Sequence, residues 1–340
     1  MASSERYGVL LANTGSPSEP TPKAVRSYLS KFLMDPCIVP MNKVGWWLIL
    51  HLFILPKRGR TSAAKYQEIW TDEGSPLIVT HERIQEKMSA VLEEQGVDAV
   101  LRCGMSYSDP SVSDCLEEMR AAGCTKLVVL PLYPQSAYST VGAVHGVFDR
   151  AMTAMKWQVP IDFIDNYHDD PVYIQAVADS ILEAGFEPDS DDRILFGFHS
   201  VPLEDIEDGD TYELQTSASS LQIASELGIE RERWTIGYQS RFDKGRDWLS
   251  PYVSEVIERL AQGGSGRVFY VCPNFSVDCL ETYYDIDHEH KPRYYELMRQ
   301  AGKEPAEDSM VRVPCLNDSP GQIATLTSVL LPHLGVEARG

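Results

Sequence analysis

Short apolar runs alternate with longer helical patterns along the whole chain of 340 residues, and this alternation constrains the fold most. The strand candidates lie, in chain order, at 8–12, 100–103, 126–130, 161–164, 193–198, 234–238 and 266–272. Helical patterns between them include 113–122, 171–184, 215–227 and 249–261. Strands that are connected through helices pair in parallel, because the helix returns the chain to the same end of the sheet. We therefore predict an α/β fold with parallel sheets.

The two halves of the chain repeat the same order of motifs. GVLLANTGSP at 8–17 resembles RILFGFHSVP at 193–202, and KLVVLPLYPQSA at 126–137 resembles GRVFYVCPNFSV at 266–277. This duplication predicts two similar domains, 1–165 and 166–318, and a final helix within 319–340 that packs back on the first domain. Because ligands of open parallel sheets bind beyond the carboxyl ends of the strands, we expect the two domains to face a central cleft there.

Charge and cysteine content restrict the partners and the compartment. The net charge is −20 and the pI about 4.8, so the basic face that nucleic acid requires is missing. Seven scattered cysteines without a CxxC pair indicate reduced thiols rather than a disulfide framework or a zinc ribbon. The first residues do not show the pattern of a signal peptide. We expect a cytoplasmic protein that does not bind nucleic acid.

One apolar run, VGWWLILHLFIL at 44–55, has two interpretations. A helix that crosses a bilayer needs about 20 apolar residues, so this run is too short to span one. It is either a buried helix or an exposed lip that touches a membrane surface or an apolar ligand. Two tryptophans and the flanking Lys43, Lys57, Arg58 and Arg60 favour the lip.

An acidic segment, NFSVDCLETYYDIDHEH at 274–290, follows the last strand candidate. On an α-helix, Glu281, Asp285, His288 and Glu289 would share one face. Either this face is simply solvated, or its carboxylates form a path for a divalent cation. Repulsion between like charges costs stability, which favours a functional reason for the cluster. The spacing does not fit a closed zinc site.

Another polar group follows an apolar strand in FGFHSVP, where His199 stands at the strand end. A histidine in this position is either a hydrogen-bonded structural residue or a proton acceptor near neutral pH. The chain has neither the glycine-rich phosphate loops GxxxxGK[ST] and GxGxxG nor a GxSxG nucleophile motif. The sequence therefore disfavours a nucleotide-binding oxidoreductase and a serine hydrolase.

Taken together, these motifs resemble the ferrochelatase family over nearly the whole chain. The resemblance runs through NTGSP, YLSKFLMDPCIVP, KYQEIWTDEGSPL and LYPQSAYST to the most specific set, FGFHSVP, YQSRFDKGRDWLSPY and NFSVDCLETYYDID. It implies two Rossmann-like, chelatase-type domains around a cleft, in agreement with the duplication. It also implies a lyase-class enzyme that inserts Fe²⁺ into a porphyrin during heme synthesis.

The resemblance assigns the catalytic and metal-binding roles residue by residue. His199 and Glu281 match the pair that flanks the porphyrin centre and acts on protons and metal. Asp285 and Glu289 match an acidic ridge, often on a widened helix, which would guide the metal together with that pair. The porphyrin pocket matches Thr14, Arg58, Ser75, Arg102, Tyr133 and Trp248, and the run at 44–55 matches the lip over its mouth.

The resemblance also bears on cofactors, substrate and location. Some relatives bind a 2Fe–2S cluster through cysteines, but Tyr138 stands at the internal position and no cysteine follows Cys315, so we predict none and no tightly bound cofactor. Thr14 and Cys279 favour protoporphyrin IX as the substrate. A coproporphyrin III ferrochelatase, a chelatase for another tetrapyrrole and a non-catalytic porphyrin or heme carrier remain alternatives. The lip predicts peripheral contact with the inner face of the membrane, and the oligomeric state stays open.

Overall fold

The chain forms two compact units. A computed structural model describes residues 5–241, 245–263 and 266–336, so residues 242–244 of the YQSRFDKGRDWLSPY motif lie outside the described part. The first unit comprises the chain up to Asn166 together with the residues from Ile323 onward, and the second unit comprises Tyr167–Gln322.

The first unit contains a parallel sheet of four strands in the order β2-β1-β3-β4. Its strands are β1 (Tyr7–Asn13), β2 (Ala99–Met105), β3 (Lys126–Pro131) and β4 (Ile161–Phe163). Its α-helices are α1 (Pro22–Leu33), α2 (Lys43–Ile49), α3 (Leu55–Ile69), α4 (Pro76–Glu94), α5 (Val112–Ala121) and α6 (Ala143–Met155). The first unit also contains two short π-helices, Leu50–Ile54 and Tyr138–Gly142, and the 3₁₀ turn Leu331–Leu334.

The second unit repeats this topology, with a parallel sheet in the order β6-β5-β7-β8. Its strands are β5 (Arg193–His199), β6 (Trp234–Gln239), β7 (Val268–Val271) and β8 (Met310–Arg312). The α-helices are α7 (Pro171–Glu183), α8 (Leu203–Glu207), α9 (Tyr212–Glu226), α10 (Val253–Gln262) and α11 (Lys291–Gln300), and α12 (Pro320–Leu330) begins in this unit. A 3₁₀ turn, Arg231–Arg233, and a π-helix, Glu281–His290, are also present. The predicted α/β architecture with parallel sheets is confirmed.

Local sequence signals account for several helix starts. Thr21 caps α1, where its hydroxyl accepts the N–H of Ala24 over 3.3 Å and Pro22 follows in the first turn. Asp170 caps α7 in the same manner and precedes Pro171. A cap satisfies backbone donors that have no partner within the helix, and proline lacks the N–H that would remain unpaired there.

The inner strands β1, β3, β5 and β7 are buried on both faces, as helices cover both sides of a parallel sheet. In the first unit, Leu10 and Val129 pack with Phe148 of α6 in one apolar cluster. In the second unit, Leu195 and Ile257 belong to the corresponding cluster. Burial of each such side chain contributes about 1.5–3 kcal/mol, so these clusters hold the strand ends at fixed positions.

The apolar run at 44–55 is largely exposed, which contradicts its interpretation as a buried helix. It forms α2, the π-helix Leu50–Ile54 and the start of α3. Trp46 and Leu50 point inward, and the Trp46 indole N–H donates to the carbonyl of Leu33. Val44 and Phe53 are 75% and 72% exposed, and Trp47, Leu48, Ile49 and Leu52 are also exposed. Within the described residues, no helix is both long and apolar enough to cross a membrane.

Candidate active site

His199 is the last residue of β5, so it lies at the carboxyl edge of the second sheet. Its Nδ1 lies 2.7 Å from the carbonyl oxygen of Ser200. Because a carbonyl can only accept, Nδ1 carries the proton and Nε2 of the neutral ring keeps its lone pair. The Tyr212 hydroxyl donates to the carbonyl of His199 over 3.0 Å and fixes its backbone. The half-buried ring therefore presents one basic nitrogen in a set orientation.

A buried polar network lies beside this histidine. Gln239 ends β6 and is the direct register partner of His199. Its Oε1 accepts a hydrogen bond of 2.6 Å from the hydroxyl of Tyr270, whose ring extends from β7 across Gly197. Because that hydroxyl gives its proton to Gln239, it accepts from Nδ1 of His290, 3.2 Å away. The network thus connects the strand edge with the last residue of the π-helix.

Trp248 is held close to the chain that follows His199. The Leu249 N–H donates to the carbonyl of Val201 over 2.9 Å, and the Ser200 hydroxyl donates to the carbonyl of Leu249 over 2.8 Å. These bonds join the Trp248 loop to the segment after β5 and bury the indole. The second unit therefore brings two of the predicted site residues together.

The π-helix Glu281–His290 starts from a fixed segment. Asn317 binds Asp278 through two hydrogen bonds of 2.8 Å, one to its backbone N–H and one to its carboxylate. The N–H of Cys279 donates to the hydroxyl of Thr282 over 2.9 Å. A π-helix of ten residues is unusual, because π geometry occurs mostly as single turns and often at functional sites.

Glu281 accepts a hydrogen bond from a buried thiol. The Sγ of Cys279 lies 3.0 Å from Oε2 of Glu281. Burial raises the pKa of the Cys279 thiol well above its usual range, and the negative charge of Glu281 raises it further. The thiol therefore keeps its proton and acts as the donor.

Arg312 on β8 neutralises part of the acidic segment. Its Nε donates to Asp287 over 3.0 Å, and its Nη1 lies 3.5 Å from Oδ1 of Asp278. Its guanidinium also lies over the ring of Tyr283, 4.6 Å from the ring centre. Burial alone would lower the pKa of Arg312, but the two carboxylates outweigh that effect and raise it. Asp278 and Asp287 thus form ion pairs with Arg312, which lies at the end of β8.

The π geometry changes which side chains share a face. An α-helix makes two turns in about seven residues, which would place His288 above Glu281. A π-helix needs more residues per turn because each bond reaches five residues back, so His288 leaves that face and stacks on Tyr284. Glu281, Asp285 and Glu289, at intervals of four, remain neighbours along one side. The predicted common face thus excludes His288.

The predicted metal ligands do not form a closed site. Glu281 and Asp285 are half-buried and Glu289 is exposed. Among residues 5–241, 245–263 and 266–336, no three His, Cys, Asp or Glu side chains converge to hold a metal ion. A row of carboxylates can still bind a divalent cation weakly at successive points. Their role as a metal path stays a prediction.

Three of the predicted porphyrin-binding residues cluster near the end of β1. The Thr14 N–H donates to the hydroxyl of Tyr133 over 2.8 Å, and the two hydroxyls contact each other. The Tyr133 hydroxyl also donates to Oδ1 of Asn13 over 3.0 Å. Ser75, just before α4, donates to the hydroxyl of Ser16 over 2.7 Å. Hydroxyl groups therefore collect at the carboxyl edge of the first sheet.

The two predicted arginines lie elsewhere in the first unit. Arg102 pairs in register with Leu10 within the sheet, three residues before β2 ends. Its Nε donates to Glu118 of α5 over 2.6 Å, and this ion pair engages the guanidinium that was predicted to line the pocket. Arg58 lies on α3 near the exposed apolar run, where partial burial lowers its pKa.

Sequence analysis missed Gln239, Tyr270 and Arg312 as parts of the site. Gln239 could have been predicted, because it is a polar residue at the end of a strand, and this criterion had already identified His199. Tyr270 lies within β7, and Arg312 ends β8, a strand that the sequence did not predict. The contacts of Arg312 with the acidic segment depend on the strand order β7-β8, which no local pattern encodes.

Comparison with solved structures defines the class of fold. SirB from Bacillus subtilis with Fe³⁺ matches with a TM-score of 0.55 at 11% identity, over 96% of this chain and 97% of that chain. The sirohydrochlorin chelatase SirB from Bacillus subtilis subspecies spizizenii in complex with cobalt matches with a TM-score of 0.51 over the same shares. The fold is therefore of the chelatase type.

Sequence comparison identifies the family within this class. The ferrochelatase family model matches residues 6–334. The ferrochelatase of Actinobacillus pleuropneumoniae serotype 5b is 37% identical over 325 residues, which is 96% of this chain and 98% of the relative. The ferrochelatase of Haemophilus influenzae strain PittEE is 35% identical over 334 residues, or 98% of this chain and all of the relative. This chain belongs to the ferrochelatase family, which confirms the resemblance found in the sequence.

Proposed function

We propose that this chain inserts Fe²⁺ into protoporphyrin IX, releases the two pyrrole protons and produces heme. The observation that carries the proposal is the family membership of a chain that keeps both His199 and Glu281 in one unit. His199 ends β5, and Glu281 begins the helix that follows β7, the parallel neighbour of β5. Groups beyond the carboxyl ends of adjacent parallel strands are well placed to act on one ligand.

His199 is proposed as the acceptor of pyrrole protons. The hydrogen bond from Nδ1 to Ser200 leaves Nε2 as the basic nitrogen, and imidazole is the side chain whose ordinary pKa lies nearest neutral pH. Proton removal is required because the nitrogen lone pairs must replace the N–H bonds before they can bind the metal.

Glu281, Asp285 and Glu289 are proposed to attract Fe²⁺ and replace its water ligands in steps. Carboxylates are oxygen ligands that suit hard and borderline dications. Arg312 pairs with Asp278 and Asp287, so these two carboxylates are not assigned to the metal path. Attraction for a dication gives a physical reason for the crowding of like charges on one helix.

Trp248, Thr14, Ser75 and Tyr133 are proposed as porphyrin-binding residues. An indole face and clustered hydroxyls suit a flat aromatic macrocycle with polar edges. Arg58 is proposed to bind a propionate, because a guanidinium pairs strongly with a carboxylate. Porphyrin binding by Arg102 remains a prediction, because the ion pair of Arg102 with Glu118 would have to break before its guanidinium could contact a porphyrin.

Protoporphyrin IX is proposed over coproporphyrin III. Coproporphyrin carries four carboxylates, and the chain itself has a net charge of −20, so the less acidic porphyrin meets less repulsion. The test is anaerobic turnover of each porphyrin with Fe²⁺. A higher kcat/KM with protoporphyrin supports the proposal. A higher kcat/KM with coproporphyrin overturns the assignment of protoporphyrin as the substrate. Tight binding without turnover of either would favour the carrier.

We further propose that this ferrochelatase works without a bound 2Fe–2S cluster. Tyr138 occupies the internal position at which cluster-binding relatives carry a cysteine. Anaerobically purified, heme-free protein should lack the visible absorption of a cluster. Stoichiometric iron and acid-labile sulfide would contradict the proposal.

The exposed run at 44–55 is proposed to contact the inner face of the membrane from the cytoplasmic side. Exposed apolar side chains flanked by cations suit an anionic lipid surface. The double variant Trp47→Ser, Phe53→Ser should lose flotation with vesicles of phosphatidylcholine and phosphatidylglycerol. Leu214→Ser on α9, 71% exposed, is the matched control. Equal flotation of all three proteins would refute the contact.

A further inference from the structure

The carboxylate of Glu281 is oriented by the residue two positions before it. Glutamate has several rotatable bonds and loses about 1.5–2 kcal/mol of side-chain entropy when it is held in one rotamer. Cys279 has a short side chain with one such bond, and its thiol lies 3.0 Å from Oε2 of Glu281. A short donor on a fixed backbone can therefore hold a long, flexible acceptor.

The backbone of Cys279 is fixed from both sides. Asp278 is bound to Asn317 through two hydrogen bonds, and the N–H of Cys279 is bound to the Thr282 hydroxyl. The carbonyl of Cys279 accepts the N–H of Tyr283 over 3.0 Å. The thiol is also excluded from water, so it does not exchange its bond to the carboxylate for one to solvent.

We propose that Cys279 is a positioning residue for Glu281: its S–H···Oε2 hydrogen bond selects the rotamer in which Oε1 is presented to the reacting metal or proton. The proposal rests on the proposed function, because it assigns Cys279 a role through Glu281. A group placed within a narrow range of geometry reacts faster than one that samples many rotamers. The thiol hydrogen bond uses Oε2 of Glu281, so Oε1 is the oxygen that the proposal assigns to the metal or proton.

The test compares Cys279→Ala, which removes the donor, with Cys279→Ser, which keeps one. Anaerobic insertion of Fe²⁺ into protoporphyrin is followed with each full-length variant. Cys279→Ala should lower kcat about tenfold, a loss of about 1.4 kcal/mol of transition-state stabilisation, with KM for the porphyrin nearly unchanged. Cys279→Ser should recover most of that loss, because a hydroxyl donates more strongly to a carboxylate than a thiol.

Cys115→Ala is the matched control, since Cys115 is buried in the first unit and its thiol lies 3.6 Å from the carbonyl of Cys103. It should keep the wild-type kcat. If Cys279→Ala also keeps it while Glu281→Gln is inactive, the positioning role is refuted and the proposed function stands. If Cys279→Ser loses as much as Cys279→Ala, packing and not the hydrogen bond is responsible. Absence of turnover by the wild-type protein would instead refute the proposed function.

A spectroscopic measurement avoids any change at Cys279. The S–H stretching bands of the wild-type protein are compared with those of Glu281→Gln by Raman difference spectroscopy. A carboxylate weakens the S–H bond more than an amide does, so one band should move to higher frequency in Glu281→Gln. Identical bands in the two proteins would overturn the proposal.

Discussion

Arg312 is expected to stabilise the second unit strongly, because it compensates carboxylates that are removed from water. The side chain of Asp278 is 2% exposed and that of Arg312 is 19% exposed. Removal of one partner of a buried ion pair costs about 3–5 kcal/mol, since the other charge is left without compensation. Asp278 keeps its hydrogen bond from Asn317, which places the expected loss at the lower end, about 3 kcal/mol.

The perturbation is Arg312→Leu, which keeps apolar volume and removes the charge. The free energy of unfolding is measured in urea by far-UV circular dichroism at pH 7. Arg293→Leu is the control, because Arg293 and Glu296 form a pair of 2.7 Å whose side chains are 50% and 56% exposed. That pair should contribute less than about 1 kcal/mol.

A second substitution isolates the cause of the loss. Asp278→Asn in the Arg312→Leu background removes the uncompensated charge, so it should recover part of the lost stability. The reasoning would be refuted if Arg312→Leu costs no more than Arg293→Leu, or if the double variant is less stable than Arg312→Leu alone.

Two further predictions concern buried positions. Gly197→Ala should destabilise the chain by about 1–3 kcal/mol, because the new methyl group would overlap the Tyr270 ring. Gly45→Ala should not, because the nearest neighbour of its new methyl group would be Oδ1 of Asn42 at 3.9 Å, an ordinary van der Waals contact. Equal urea midpoints for the two variants would contradict this. Burial lowers the pKa of His81 to about 4, although its hydrogen bond to the Leu77 carbonyl acts in the opposite direction. Since the folded-state pKa lies below the ordinary value of 6.5, the unfolded chain binds more protons between about pH 6.5 and 4, and stability should fall by about 2 kcal/mol as the pH drops from 7 to 4.5. His81→Leu should show a shallower fall in urea titrations at the two pH values, and an unchanged slope would refute the assignment.

The inner strands could be predicted from sequence because each is an apolar run that is buried on both faces of the sheet. The predicted cores of β1, β3 and β5 all lie within the observed strands. The strand β8 was missed, since Met310–Arg312 has three residues and ends in arginine. Its place in the sheet comes from pairing with β7 rather than from its own propensity.

A site residue could be predicted from sequence only where it stands at the end of a strand that is itself predictable. His199 ends β5, so the sequence position alone places it at the functional edge. The π geometry of Glu281–His290 could not be derived from residue spacing, because the same spacing fits an α-helix. The ion pairs of Arg312 bridge 25 and 34 positions, from Asp287 and Asp278, and such contacts depend on the assembled sheet.

The most direct test of the proposed chemistry separates porphyrin binding from metal insertion at His199. Wild-type protein, His199→Ala and the control His145→Ala, which removes an exposed histidine paired with Asp165, are incubated anaerobically with Fe²⁺ and protoporphyrin IX. Loss of free-porphyrin fluorescence reports insertion, and porphyrin anisotropy without iron reports binding. We expect His199→Ala to bind porphyrin normally but to insert iron at least about a hundredfold more slowly, as loss of a general base predicts. Insertion by His199→Ala at the wild-type rate would contradict the account.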